Sequence, residues 1–183
     1  MSLELRDDVT LDAAAGDPDA FRRVYDALAP KVLGYLRSRG VEDPEGMVSE
    51  VFLAVHPRLP GLRGGAAGLR TLVFSIAHAR AVDDARRRSR RPSSLPYDPA
   101  YDDRVTGSAE QEAVRSLEAE RAVALMQRLN EDQRTVVTLR IFGDLSLEQT
   151  AEVTGKTVGS VKQLQRRGLA RLRSLMADSE VAR

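Results

Sequence analysis

Apolar residues recur every three to four positions along almost the whole chain, and this spacing is the strongest constraint on its fold. One such stripe runs over residues 21–36, a second over 47–55 and a third over 69–82. This period places apolar side chains on one face of an α-helix, whereas a half-buried strand requires strict alternation, which no window sustains. Aromatic residues make up only 4% of the chain, so aliphatic side chains must fill the core. The pattern predicts an all-α fold packed through aliphatic ridges.

Residues 91–108 interrupt the helical pattern. This segment carries three prolines, an excess of acidic residues and no apolar period, a composition typical of a linker. The flanking segments, about 90 and 70 residues long, are each near the lower size for an independent core. We therefore predict an N-terminal helical domain over 1–90, a flexible acidic linker over 91–112, a C-terminal helical domain over 113–177 and a tail over 178–183.

The clearest local motif lies near the C-terminus. Ser146 and Gln149 have the spacing of a capping box, which predicts a short helix over Leu147–Thr154. Gly155 allows a left-handed stop, and Thr157 can cap a longer helix after it. A short helix, a glycine-containing turn and a second helix form the helix-turn-helix, whose second helix enters the DNA major groove.

Charge is distributed unevenly, although the whole chain carries a formal net charge of only +1. Residues 70–91 carry +5, and residues 156–173 carry +6 with no acidic residue. Two basic segments separated by acidic ones suggest two surfaces that contact phosphate. Solvated helix faces are the alternative for both. For the first segment, the arginines 86–91 could equally offset the partial negative charge at a helix C-terminus.

The second basic segment has the side chains required for reading DNA. Gln163 and Arg166 are suited to bidentate contacts with adenine and guanine, respectively. The candidate DNA contacts of this segment are Lys156, Thr157, Ser160, Lys162, Gln163, Arg166, Arg167 and Arg171.

Six motifs, in order, resemble those of the extracytoplasmic-function (ECF) sigma factors of bacterial RNA polymerase. The resemblance covers about residues 11–176. The matching segments are D-P-D-A-F at 17–21, G-M-V-S-E-V-F-L at 46–53 (family D-L-V-Q-E-V-F-L), L-R-T-L-V-F-S-I-A-H-A-R-A-V-D at 69–83 (family F-R-T-W-L-Y-x-I-A-R-N-x-x-x-D), L-N-E-D-Q-R at 129–134 (family L-P-x-x-Q-R), L-S-L-E-Q-T-A at 145–151 (family L-S-x-E-E-I-A) and G-S-V-K at 159–162 (family G-T-V-K).

The resemblance implies that the N-terminal domain captures and melts the promoter −10 region, while the C-terminal domain reads the −35 element. A glycine-rich loop over 61–68 would cradle an unstacked base, because its backbone is permissive, and a helix over 69–88 would approach the −10 strand. The −10 contacts implied are Gly64, Gly65, Arg70, His78, Arg80, Arg86, Arg87 and Arg88.

The resemblance also implies that an acidic helix docks on the polymerase clamp through Asp43, Glu45, Met47 and Glu50. Complementing the partial positive charge at the helix N-terminus is the alternative role for Asp43 and Glu45.

Four residues depart from the family motifs. Gly46, Ser49, Leu72 and Ala79 stand where the family usually has Asp, Gln, Trp and Asn, respectively. Loss of the Trp and Asn removes a stacking surface and a polar base contact, so the family's −10 preference does not transfer to this chain.

Other classes of protein are disfavoured. The chain has no Cys, which excludes disulfides and Cys-ligated zinc. No nucleophile–base pair, phosphate loop or metal-ligand cluster is recognisable, so we expect no enzyme activity, no cofactor and no metal. No apolar run approaches the roughly 20 residues of a membrane span, and the opening residues lack the features of a signal peptide, which favours the cytoplasm.

The expected partners are core RNA polymerase and promoter DNA, and the resemblance also allows an anti-sigma factor. A stand-alone helix-turn-helix regulator is the alternative.

Overall fold

The computed structural model describes residues 6–90 and 120–181. Its helices are α1 (Asp7–Ala14), α2 (Pro18–Ser38), α3 (Pro44–Val55), a 3₁₀ helix (His56–Gly61), α4 (Gly65–Arg90), a helical segment at 120–127, α5 (Glu131–Ile141), α6 (Leu147–Thr154) and α7 (Val158–Val181). These ranges contain no β-strand, which confirms the all-α prediction. The predicted linker, 91–112, lies outside the described residues. Residues 178–181 of the predicted tail continue α7 instead.

Capping side chains begin the helices where the sequence predicts them. The Asp17 carboxylate accepts a hydrogen bond from the Asp19 amide, 2.9 Å away, and Pro18 follows at the first helical position. Asn130 caps α5 by accepting from the Gln133 amide at 2.9 Å. These caps satisfy amides that have no partner within their helix.

The glycine-rich segment differs from the predicted long loop. Residues 56–61 form the 3₁₀ helix, and α4 already begins at Gly65. Gly64 and Gly65 have φ of +83° and +55°, values that favour glycine. A Cβ on Gly68 would overlap the Arg63 carbonyl oxygen. The glycines therefore form a tight turn into α4.

Helices α1 to α4 form the N-terminal group and surround one hydrophobic core. Its members include Leu28, Tyr35, Val51 and Phe74, each fully or almost fully buried. Helix α1, which the sequence motifs do not predict, contributes Ala13 to this core.

The C-terminal helices pack onto the N-terminal group as well as onto one another. Leu139 and Leu145 are fully buried and belong to the same hydrophobic cluster as Phe74. The Phe142 ring lies so close to Gly34 that an added Cβ would be 2.8 Å from it. The sequence predicts two separate domains but gives no sign of this shared core.

No helix in the described ranges is both long enough and apolar enough to cross a membrane.

Candidate nucleic-acid interface

The helix-turn-helix forms as the sequence predicts. The Ser146 amide donates to Gln149 Oε1 at 2.7 Å, and the Gln149 amide donates to Ser146 Oγ at 3.1 Å. Gly155 has φ +66° and ends α6 in the left-handed conformation. Thr157 Oγ1 accepts from the Ser160 amide at 3.2 Å at the start of α7. Both ends of the turn are therefore capped.

The core of this motif fixes which face of α7 points outward. Val161 and Ala151 are buried together with Val136 of α5, and Leu147 and Leu164 pack beside them. Val158, by contrast, is 39% exposed. It precedes the first inward position, Val161, by three residues and lies at the edge of the turn.

The predicted −35 contacts in α7 form one exposed face. The exposed residues are Thr157, Ser160, Lys162, Gln163, Arg166, Arg167 and Arg171. Lys156 differs, because it is half-buried and its Nζ lies 3.0 Å from Asp132 Oδ1 of α5. The face thus combines hydrogen-bond donors for base edges with cations for phosphates.

Ion pairs partly neutralise the basic half of α4. Arg86 lies 3.8 Å from Asp83, and Arg88 Nε lies 3.0 Å from Asp84. Arg80 pairs with Glu50 of α3 at 2.6 Å. All three arginines remain at least 39% exposed, so these pairs contribute little stability and can exchange for phosphate.

The turn into α4 carries an unexpected carboxylate. Asp7 Oδ1 of α1 accepts a hydrogen bond from the Ala66 amide at 2.7 Å. It also lies where a Cβ on Gly65 would point. Gly64 is exposed, whereas Gly65 and Arg70 are half-buried. The predicted base cradle is therefore bordered by a negative charge at the helix N-terminus, which the sequence motifs did not indicate.

His78 lies apart from the other predicted −10 contacts. Its Nδ1 is 2.9 Å from the hydroxyl of the buried Tyr35. Burial, followed by the nearby Arg39 cation, lowers the pKa of His78 to about 4. Burial also raises the pKa of Tyr35. The half-buried imidazole is thus paired with a buried residue of the same molecule, and its contact with DNA stays a prediction.

The predicted polymerase contacts divide between surface and core. Asp43 caps α3 by accepting from the Gly46 amide at 2.9 Å, the alternative role considered for it. Glu45 is exposed and pairs with Arg37 at 2.6 Å. Met47 is 8% exposed and belongs to the hydrophobic core, and its contact with polymerase stays a prediction.

The four departures from the family motifs occupy different environments. The Asp43 carboxylate fills the space that a Cβ on Gly46 would take. Ser49 and Ala79 are exposed, and Leu72 is partly buried against the core. Only Leu72 thus contributes to packing of the N-terminal core.

Two polar residues, Arg39 and Gln149, join the two helical groups through contacts that the sequence did not indicate. Arg39 of α2 donates to Thr135 Oγ1 at 2.6 Å and to Glu131 Oε1 at 3.0 Å in α5. Gln149 Nε2 of α6 donates to the Ala67 carbonyl at 3.0 Å and to Thr71 Oγ1 at 2.8 Å in α4. Such contacts carry no signal in the sequence, because they depend on how distant helices meet.

Comparison with known proteins agrees with this arrangement. Residues 125–174 match the family model of sigma-70, region 4. The chain is 33% identical over 181 residues to the ECF RNA polymerase sigma factor SigD of Mycobacterium tuberculosis (strain H37Rv), covering 94% of this chain and 84% of the relative. It is also 33% identical over 174 residues to the ECF RNA polymerase sigma factor ShbA of Streptomyces griseus, covering 89% and 91% of the two chains.

A solved structure shows the same fold. The structure of CnrH in complex with the cytosolic domain of CnrY matches with a TM-score of 0.67 at 22% identity, covering 96% of this chain and 99% of that chain.

A helical protein with an exposed basic face on a helix-turn-helix is, as a class, a DNA-binding protein. With relatives at this identity and coverage, the chain belongs to the ECF sigma factors of RNA polymerase and acts in promoter-specific transcription initiation. The predicted family is confirmed, and the stand-alone regulator is not favoured. Sigma factors are DNA-binding initiation factors and not catalysts.

Proposed function

We propose that α7 reads the −35 element of promoters when this sigma factor is bound to core RNA polymerase. The observation that carries this proposal is the exposed face of α7, free of acidic residues up to residue 173, on a doubly capped helix-turn-helix. Gln163 and Arg166 lie near the N-terminal half of that helix, where recognition helices contact base edges. Arg167 and Arg171 supply cations for the phosphates.

The N-terminal group would bind the −10 region. Arg80, Arg86 and Arg87 border one shallow groove along α4, and their ion pairs are exposed enough to exchange for phosphate. Arg88 and Arg70 would add further cations, and the turn at Gly64 and Gly65 would receive an unstacked base. His78 would complete this set, although its Nδ1 lies 2.9 Å from the Tyr35 hydroxyl.

The surface offered to core polymerase would include Glu45 and Glu50, both exposed on α3, with Asp43 at its N-terminus. Because Glu50 pairs with Arg80, a polymerase contact through Glu50 would release a cation for DNA. The protein would act in the cytoplasm, without catalysis of its own or a cofactor. An anti-sigma factor is a further partner that family membership suggests.

Run-off transcription with core polymerase on a genomic promoter library tests the proposal. We expect the wild type to select promoters that share upstream and −10 sequences. Arg166→Ala should lower selectivity at particular −35 positions by about 1–3 kcal/mol, because it removes a base contact. The combined Arg86→Ala, Arg87→Ala and Arg88→Ala variant should instead weaken binding to all promoters and reduce the salt dependence.

Arg173→Ala is the matched control, since Arg173 is an exposed arginine on the same helix but outside the proposed contact set. Equal loss on every promoter sequence with Arg166→Ala would reject base reading by that residue. Failure of the wild type to bind core polymerase or select any promoter would reject the proposed function.

A further inference from the structure

The exposed face of α7 contains a position without a side chain, Gly159, in the first turn of the helix. The residue is exposed, and a Cβ added there would meet no surrounding atom within 4 Å. Its backbone is helical and lacks the positive φ that favours glycine. In the part of the chain that the structure describes, neither packing nor backbone conformation therefore requires glycine at this position.

A second glycine of the same helix shows the contrast. A Cβ on Gly168 would come 2.7 Å from Val137 Cγ2, so close packing against α5 explains the glycine there. Gly159 has no such neighbour. Because glycine is a poor helix former, Gly159 weakens α7 without a packing gain within the described residues. A requirement from outside the chain would explain why the helix carries it.

Helical period places Gly159 on the same line as the proposed base readers. This line faces away from the buried side chains of Val161 and Leu172. Its members, spaced by four, three and four residues, are Gly159, Gln163, Arg166 and Ala170, all exposed. Recognition helices contact base edges mainly with residues near their N-terminus. The missing side chain thus lies one turn before Gln163, at the end of α7 that would enter the groove first.

The major groove leaves little room for an additional group on this line. The groove is about 12 Å wide, and an α-helix with its side chains is about 10–12 Å across. A hydrogen bond to a base edge needs a donor–acceptor distance of about 2.7–3.2 Å. A displacement of roughly 1 Å is therefore enough to break it. At a glycine the helix surface recedes to the backbone, which allows the closest approach.

We propose that Gly159 is a positioning residue for −35 recognition, because its missing side chain lets α7 enter the groove deeply enough for Gln163 and Arg166 to reach base edges. The inference rests on the proposed function and deepens it. Gly159 reads no base itself, so its effect is exerted through the readers that follow it on the same line. Such a role matches the general use of glycine where a backbone must approach a ligand closely.

Two substitutions separate this role from a structural one. Gly159→Ala and Gly159→Leu add good helix formers whose Cβ points into open space, so neither should lower the melting temperature of the free protein. Gly159→Ala should raise it by about 1–4 °C. In holoenzyme with core polymerase, Gly159→Ala should weaken binding to a promoter selected by the wild type by roughly tenfold, and Gly159→Leu by more. On the same promoter with a scrambled −35 element, all three proteins should bind equally.

A double-substitution cycle tests whether Gly159 acts through Gln163. Gln163→Ala alone should weaken binding to the selected promoter. In the Gly159→Leu background it should have little further effect, because the amide no longer reaches its base. Ser174→Ala is the matched control, since it also improves helix propensity at an exposed position of α7, in the C-terminal half of the helix. It should leave promoter affinity unchanged.

Three outcomes would overturn the positioning role while −35 reading stood. The first is wild-type affinity of both Gly159 variants for the selected promoter, with binding still sensitive to scrambling. The second is an equal loss of affinity on the selected and the scrambled promoter, which would mark a non-specific effect. The third is full additivity of Gln163→Ala and Gly159→Leu. A wild-type holoenzyme insensitive to the −35 sequence would overturn the proposed function together with this inference.

Discussion

At the scale of single residues, the burial of His78 makes stability depend on pH. Because the pKa of His78 falls from its ordinary value of 6.5 to about 4 in the fold, folding favours the neutral imidazole. This stabilisation is complete above pH 6.5 and is lost as the pH falls through 4. The shift corresponds to about 3 kcal/mol of unfolding free energy across that window.

Urea unfolding at several pH values between 7 and 4 measures this effect. We expect His78→Gln to remove most of the decline in stability that the wild type shows below pH 6.5. His56→Gln, which removes the other imidazole of the chain, is the control. Identical pH profiles for the wild type and His78→Gln would show that burial does not lower the pKa of His78.

At the scale of helices and turns, a crowded glycine and an open one allow a controlled comparison of two Gly→Ala changes. Gly68→Ala places a Cβ against the Arg63 carbonyl oxygen, so the turn into α4 must shift. Gly159→Ala meets no atom within 4 Å in the first turn of α7. Thermal unfolding should show that Gly68→Ala destabilises the protein. Gly159→Ala should stabilise it by about 0.5–1 kcal/mol, since alanine is the better helix former. A stabilising Gly68→Ala would contradict the close packing at this turn.

Local signals made most of the helices predictable. Ser146 caps α6 where its spacing from Gln149 indicated, and Gly155 ends that helix as expected. Local signals failed where a distant contact decides the outcome. The glycines at 65–68 suggest a loop in isolation, yet they are helical because the Asp7 carboxylate of α1 caps the Ala66 amide.

The same limit applies to the candidate site. The exposed face of α7 follows from helical period alone, so its donors could be predicted from the sequence. The burial of Met47 and the pairing of His78 with Tyr35 could not be predicted, because both depend on tertiary packing. The contacts that Arg39 and Gln149 make between the helical groups were missed for the same reason, since their partners lie 78 to 96 residues away in the chain.

At the scale of the whole molecule, near-neutral charge is compatible with binding to DNA. The net charge of +1 conceals basic surfaces on α4 and α7 and acidic positions that pair with them or face elsewhere. Part of this balance consists of ion pairs within the fold, one between Glu50 and Arg80 and another between Asp132 and Lys156. Partners of opposite charge can therefore bind to separate surfaces of one nearly neutral chain.

The shared core further predicts that the two helical groups lose structure together in the free protein. Leu145 is fully buried in the cluster that contains Phe74, whereas Leu172 is buried in a separate cluster with Leu129 and Val137. Either change to Ala should cost about 2–5 kcal/mol. Hydrogen exchange should show that Leu145→Ala lowers the protection of α4 as well as of α5 to α7, because its cavity opens the contact between the groups. Leu172→Ala should lower protection in α5 and α7 and leave that of α4 unchanged. If both variants lost protection only in the C-terminal helices, the two groups would be energetically independent.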